Sequence, residues 1–318
     1  MKKVLCALPV EERHKEKLEK AGKGCEFTYV LPKEVTEEQI RSAEIILGCV
    51  PAGMIKASEK LELLQLSSAG ADPYIVKGVL AEKTILTNAT GAYSKAVAEH
   101  GFASALMLQK KLHLYRDVQK TGVWSDFGTV TSMADATVLV VGLGDIGCHF
   151  ARLCKAMGAY VIGVKRRPSS KPDCADELYT MEHLDELLPR ADVIFSILPG
   201  TKEVYHLYNK DRFAKMKKAA IFINDGRGGA VDAEALYEAL TEGKISAAAI
   251  DVTEPEPLPK DHKLWQLDNL LLTPHVSGFY HLPETFERIV NIAADNLERF
   301  LTGRELKNIV DFETGYKK

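Results

Sequence analysis

Thr137-Val-Leu-Val-Val141 runs directly into Gly142-Leu-Gly-Asp-Ile-Gly147, so a strand-forming segment precedes a GxGxxG pattern. A helical run to Met157 follows, and then a second apolar run, Tyr160 to Val164. This order of strand, glycine turn, helix and strand gives each glycine a task. Gly142 permits the tight turn, Gly144 lets bare backbone approach a pyrophosphate, and Gly147 lets helix and strand pack closely. Asp145 and Ile146 lie in the first helical turn, whose free N–H groups attract negative charge. The segment predicts a dinucleotide site.

Towards the C-terminus, apolar strands are expected at Val193 to Leu198, Ala220 to Asn224, Ala247 to Val252 and Leu270 to Thr273. Helical stretches Leu184 to Leu188, Glu203 to Lys217 and Asp232 to Glu242 separate most of them, the pattern of a parallel sheet covered on both faces. Towards the N-terminus, up to about residue 98, short apolar runs alternate with helical stretches as in a smaller α/β domain. Glu99 to Lys120 holds no proline, and no glycine after Gly101, so it predicts one long helix. Its apolar positions spread beyond one stripe, which fits either a contact with another domain or subunit or plain core burial. An amphipathic helix is expected over Pro283 to Gly303. The domain boundaries read as 1–98, 99–287 and 288–318, with the last piece returning to the first.

The 318 residues are 46% hydrophobic and 27% charged, which excludes disordered and disulfide-scaffold classes. A formal net charge of −3 supplies no field for nucleic acid or an anionic membrane. No apolar run is long enough to span a membrane. The six cysteines are scattered with no CxxC pair and no metal spacing, as expected of reduced thiols in a cytoplasmic protein without a metal site.

At the second strand's end, where an NAD site carries an acidic residue, stand Lys165, Arg166 and Arg167. Cations there bind a ribose 2′-phosphate, so NADP(H) is expected over NAD(H), with NAD(H) still possible; the competing reading is a solvated basic turn. Four later strands end in Leu198-Pro199-Gly200-Thr201, Asn224-Asp225-Gly226-Arg227-Gly228, Asp251-Val-Thr-Glu-Pro-Glu256-Pro257 and Thr273-Pro274-His275. Ligands of open parallel sheets bind at such ends.

With these motifs the chain resembles the D-isomer-specific 2-hydroxyacid dehydrogenase family, which includes glyoxylate/hydroxypyruvate reductases and phosphoglycerate dehydrogenases. The resemblance implies a two-domain α/β fold: a Rossmann-type doubly wound parallel sheet inserted into a smaller flavodoxin-like substrate domain. It also implies a homodimer built partly on the helix after Glu99. By the same resemblance the catalytic set is Arg227, Glu256 and His275. Arg227 holds the substrate carboxylate and polarises the keto oxygen. His275 exchanges the proton, and Glu256 orients its ring. Glu254, also followed by proline, is the decoy; the family's spacing from Asp251 picks Glu256.

Asn224, Gly226, Asp251, Ser277 and Gly278 join Leu198, Pro199 and Thr201 as expected cofactor contacts. The substrate-carboxylate loop falls on Ser67 to Asp72, with Ser68, Ala69 and Gly70 at its centre, and Tyr93 is a further candidate. Asp225 departs from the small or apolar residue usual before the Gly-Arg pair. It competes with the substrate carboxylate for Arg227, perturbs the nicotinamide end, or points away and caps a turn. The expected activity is interconversion of a small 2-keto acid and its D-2-hydroxy acid, glyoxylate or hydroxypyruvate being the narrower expectation. The rival is a nicotinamide-sensing regulatory protein on the same scaffold.

Overall fold

The computed structural model describes residues 1–318 apart from 57, 168, 169, 314 and 316–318. The chain forms two compact units, residues 1–93 with 282–318, and residues 94–281. In the first, β1 (Lys3–Cys6), β2 (Glu26–Tyr29), β3 (Ile45–Leu47), β4 (Leu63–Gln65) and β5 (Ile85–Thr87) make a wholly parallel sheet in the order β2-β1-β3-β4-β5. This is the flavodoxin-like order. Successive residues of a strand point to opposite faces. Val4, Cys6, Ile45 and Leu47 therefore pack with Leu18 of α1 (Glu12–Ala21) and Val290, Ala293 and Leu297 of the C-terminal helix Pro283–Leu301. Leu5, Ile46 and Leu64 meet Ile40 of α2 (Glu37–Ser42) and Ile55 of α3 (Ala52–Ile55) on the other face. The returning helix is keyed by one buried polar contact, in which Asn296 Nδ2 donates to Gln65 Oε1 at 2.7 Å and to Lys307 O at 2.9 Å.

The second unit begins with α4 (Ser94–Gln109) and α5 (Leu112–Gln119). The single helix expected over 99–120 is broken. Lys111 adopts φ 55, a left-handed conformation that ends α4, and its Nζ donates to Phe127 O while Lys110 Nζ reaches Thr131 O at 2.7 Å. Ala98, Ala105 and Leu108 of α4 enter the core, whereas α5 has no buried residue.

Seven parallel strands follow: β6 (Thr137–Val141), β7 (Tyr160–Lys165), β8 (Glu177–Thr180), β9 (Val193–Ser196), β10 (Ile221–Asn224), β11 (Ala247–Ile250) and β12 (Leu270–Leu272). Their order is β8-β7-β6-β9-β10-β11-β12. Val138 and Val140 face a layer containing α4 and α6 (Asp145–Ala156). Leu139 and Val141 face α7 (Leu184–Leu187), α8 (Lys210–Lys215) and α9 (Ala233–Thr241). The helix expected over Glu203 to Lys217 shrinks to α8. Before it, His206 is left-handed and buried Tyr208 bridges to Val231 in extended chain. Edge strand β8 was not expected, because its four residues are all half-buried and make no apolar run.

The order reverses between β6 and β9, so the loops leaving these two strands open at a topological switch point. A Cβ added to Gly147 would lie 2.3 Å from Gly142 O. Gly147→Ala should therefore force the turn and α6 apart, lowering stability by about 2 kcal/mol and the melting temperature by roughly 5 °C. Thermal melts with and without NADPH check this, and an unchanged melt would refute the packing role.

Candidate active site

Strand β6 delivers the chain into Gly142 at φ 105, where a Cβ would meet Ile197 O at 2.6 Å. The turn is latched to β7 by Gly142 N and Leu143 N, which donate to Val164 O at 3.0 and 2.9 Å. Gly144 precedes α6 as its N-terminal cap, and a Cβ there would meet nothing within 4 Å. Bare backbone at Gly144 thus borders open space beside the N-terminal amides of α6, which a helix leaves without intrahelical partners. That cradle fits a pyrophosphate.

Lys165 ends β7, and Arg166 and Arg167 follow, both exposed. Across from them, the segment after β9 carries Leu198, Pro199 and Thr201. The exposed carboxyl of Glu203 is held below the usual carboxylate range by the Thr201 hydroxyl, by its own backbone, and then by Lys202 and Arg166. Arg166 therefore lies within electrostatic reach of an anionic side chain.

Gly226 and Gly228 are glycine for steric reasons. A Cβ at Gly226 would lie 2.5 Å from Leu198 O, and one at Gly228 2.0 Å from Thr253 O. Arg227 is the only side chain this stretch can project. Asn224 fixes it from below, its Nδ2 donating to Arg227 O at 3.0 Å while its Oδ1 accepts from Gly226 N at 3.3 Å. The guanidinium donates through Nη1 to Gly226 O at 2.8 Å, which bends it back along the loop.

Asp251, 1% exposed at the end of β11, organises the next segment. Its Oδ1 accepts from Thr273 Oγ1 at 2.6 Å and Val276 N at 2.9 Å, and its Oδ2 from Ser277 N at 2.9 Å. Its carbonyl accepts from His275 N at 2.7 Å. Between these anchors His275 is forced to φ 53, a left-handed conformation in which histidine is enriched. Its Nδ1 meets Glu256 Oε1 at 2.6 Å. Glu256, rather than Glu254, is thus the partner. Placing the Nδ1 proton towards the carboxylate leaves Nε2 as the reactive nitrogen. Ser277 is buried and Gly278 half-buried on the same segment.

Asp225 does not compete for Arg227. It is 7% exposed, and no ion pair links it to Arg227 among the described residues. Its Oδ2 approaches α4, where a Cβ on Gly101 would lie 2.8 Å away. Burial first, and then the charge of Asp251, push its carboxyl well above the usual range.

The remaining candidates belong to the other unit. After β4, four successive carbonyls are occupied by the protein itself. Ser67 O accepts from Tyr93 Oη at 2.5 Å, Ser68 O from Ala89 N at 2.9 Å, Ala69 O from Asn88 Nδ2 at 2.8 Å, and Gly70 O from Ser68 Oγ at 2.6 Å. The amides of Ser68, Ala69 and Gly70 donate to no group among the described residues. Small residues with their amides unclaimed make an anion-binding concavity. Tyr93 here acts as a brace of the loop.

Sequence reasoning missed Asn88, which braces the same loop, and Thr273 and His100. Thr273 Oγ1 lies 3.2 Å from His100 Nε2 on α4, extending the Asp251 network to a helix 173 residues away in sequence. Only the position of Thr273, two before His275, offered a signal.

Residues 102–277 match the NAD-binding domain of the D-isomer specific 2-hydroxyacid dehydrogenases. The chain is 34% identical to glyoxylate/hydroxypyruvate reductase B of Klebsiella pneumoniae, over 88% of this chain and 89% of that one. It is 33% identical to D-3-phosphoglycerate dehydrogenase of Methanocaldococcus jannaschii over 98% of this chain but only 60% of that longer protein. A family member from Aeromonas salmonicida superposes with a TM-score of 0.87 at 31% identity, covering 98% and 99% of the two chains. The NADPH-dependent glyoxylate/hydroxypyruvate reductase of Sinorhizobium meliloti, solved with NADP and sulfate, gives a TM-score of 0.84 at 25% identity, covering 99% and 100%. By the family match and these relatives the chain belongs to the D-isomer-specific 2-hydroxyacid dehydrogenase family and is a nicotinamide-dependent oxidoreductase.

Proposed function

We propose that the protein reduces a small 2-keto acid, of the size of glyoxylate or hydroxypyruvate, to its D-2-hydroxy acid, with NADPH preferred over NADH. The observation that carries this reading is the 2.6 Å contact between His275 Nδ1 and Glu256 Oε1 on a segment clamped by Asp251. An imidazole held by one nitrogen presents the other to substrate in a fixed direction, as a proton donor needs.

The unit of residues 94–281 serves as the cofactor domain, and the unit of residues 1–93 and 282–318 as the substrate domain. Gly142, Gly144 and the N-terminal amides of α6, including those of Asp145 and Ile146, hold the pyrophosphate. Leu198, Pro199, Thr201, Asn224, Gly226, Asp251, Ser277 and Gly278 line the remainder of the cofactor site. Bound there, the nicotinamide supplies the hydride. Arg227 accepts the substrate carboxylate and stabilises charge growing on the keto oxygen, while His275 Nε2 delivers the proton that neutralises it. The amides of Ser68, Ala69 and Gly70, on the substrate domain, form a concavity suited to a carboxylate.

Lys165, Arg166 and Arg167 support the NADPH preference, as three cations standing where an acidic residue would favour a ribose hydroxyl. The complex of the Sinorhizobium relative with NADP supports the same choice. A homodimer accounts for α5, which buries none of its residues, and for exposed Leu112, Val123 and fully exposed Trp124 beside it.

Four measurements test these assignments. In nicotinamide absorbance assays with glyoxylate and hydroxypyruvate, NADPH should give the higher kcat/KM. Replacing both Arg166 and Arg167 by Ala should raise the KM for NADPH at least about tenfold and leave that for NADH unchanged; equal loss with both cofactors would make the turn ordinary surface. His275→Asn should lower kcat by about 10² to 10⁴ with little change in KM, and Glu256→Gln should lower it by at least about tenfold. Full activity in either variant removes that residue from proton transfer. Light scattering should report a dimer that Leu112→Asp with Trp124→Ala converts to monomer; a wild-type monomer ends the dimer assignment.

A further inference from the structure

Asp225 is a buried carboxyl for which the proposed reaction has no use. Its carboxyl is 7% exposed, its Oδ2 has no hydrogen-bond partner, and α4 approaches it through Gly101. A side chain at position 101 would strike both this oxygen, at 2.8 Å, and the Phe195 ring, at 2.6 Å, so the helix is cut away where the carboxyl sits. The groups around it are few. Asp251 stands beyond β10 at the end of β11 and acts on it electrostatically. His100 on α4 reaches Asp251 only through Thr273, and Arg227, two residues on, turns its guanidinium to Gly226 O. From β9, Ser196 contributes its carbonyl, which accepts from Asp225 N at 3.1 Å.

We propose that Asp225 is a positioning residue for His275, acting through Asp251. Two buried carboxyls in electrostatic contact do not both stay charged without a cation between them. Asp251 accepts three hydrogen bonds through its carboxylate. Asp225 has none at Oδ2 and so carries the proton. A neutral Asp225 lets Asp251 hold Thr273, Val276 and Ser277, and through them the left-handed turn at His275. Once Asp225 ionises, the second negative charge is relieved only by movement of the β10 end, α4 or the Asp251 carboxylate, and the His275 turn moves with them. The sign follows from the raised proton affinity of the folded state. This contribution to stability is complete at acid pH and is lost as pH rises from the ordinary aspartate range through the folded-state value.

The inference rests on His275 being the proton donor, so its test includes readouts that need no turnover. Full-length wild type, Asp225→Asn and Asp225→Val are compared between about pH 5 and pH 10. Wild type should show the carbonyl stretch of a neutral carboxylic acid at neutral pH, absent from both variants. The melting temperature of Asp225→Asn relative to wild type should rise with pH. The His275 ring resonance, assigned with His275→Asn, should show an alkaline step in wild type that is missing in Asp225→Asn. In turnover assays kcat should agree within about twofold near neutrality, and the variant should exceed wild type by about tenfold at the alkaline end, with unchanged KM for the keto acid. A carboxylate band for Asp225 at neutral pH, or a His275 resonance and kcat ratio that do not vary with pH, overturns the proposal. If the spectroscopic results hold while no keto acid is reduced, the proposed reaction fails and the positioning role stands. Should Asp225→Asn not fold, Asp225→Val supplies the same comparisons without a polar atom at the site.

Discussion

Two backbone amides and one hydroxyl converge on the carboxylate of Asp251, and the placement of His275 depends on that convergence. A buried anion costs several kcal/mol unless it is hydrogen-bonded. Here the donors come from Thr273, Val276 and Ser277, the residues immediately flanking the histidine. Satisfying Asp251 and bending the chain at His275 are therefore one event. His275 and Glu256 are themselves about half exposed, and two exposed side chains alone would sample many rotamers. Their 2.6 Å contact is held from the buried end, by backbone geometry set at Asp251.

The same economy governs the glycines. Four of them stand where neighbouring backbone occupies the place of a Cβ: Gly142 against Ile197, Gly147 against Gly142, Gly226 against Leu198 and Gly228 against Thr253. The contact at Gly147 closes the β6 turn on itself, and the other three join the end of one strand to the loop of its neighbour, from β6 through β9 and β10 to β11. The strand ends are thereby drawn into one rim in which backbone lies against backbone, and Arg227 is the side chain that emerges. Gly144 is the exception that shows the rule, because nothing protein-derived fills the space beside it.

Much of this was legible in the chain itself. The glycine turn, the β6–α6–β7 unit and the four later strands follow from short-range pattern, because buried parallel strands are continuous apolar runs, whereas the choice of Glu256 over Glu254 comes from the family resemblance. Other features depend on distant residues. Lys111 carries no left-handed signature, and α4 ends there because the returning segment at Phe127 and Thr131 ties down two lysines. Asp225 reads as a rival carboxylate beside Arg227 until Gly101, 124 positions earlier in the numbering, is seen to make room for it on the opposite side. The loop at Ser68 to Gly70 turns its amides outward because Asn88, Ala89 and Tyr93 claim its carbonyls, a division of labour that composition cannot display.

Charge at the basic turn obeys a different rule from charge at Asp251. Lys165 to Arg167 lie near the surface, where each interaction is weakened by water and by salt within a Debye length of about 8 Å. Glu203, whose carboxyl is stabilised by Thr201, Lys202 and Arg166, already offers an anion to this turn. On the proposed function, a phosphate at this turn would have to do better than that carboxylate, through charge number and a second arginine rather than through burial. On the proposed function, any discrimination between the two cofactors at this turn would rest on exposed electrostatics and would be graded and sensitive to ionic strength. The placement of His275, by contrast, is anchored by the buried carboxylate of Asp251, which water and salt screen less. The basic turn and the Asp251 network thus stand in different dielectric environments, and the proposed function assigns the more rigid of the two to the reacting atoms.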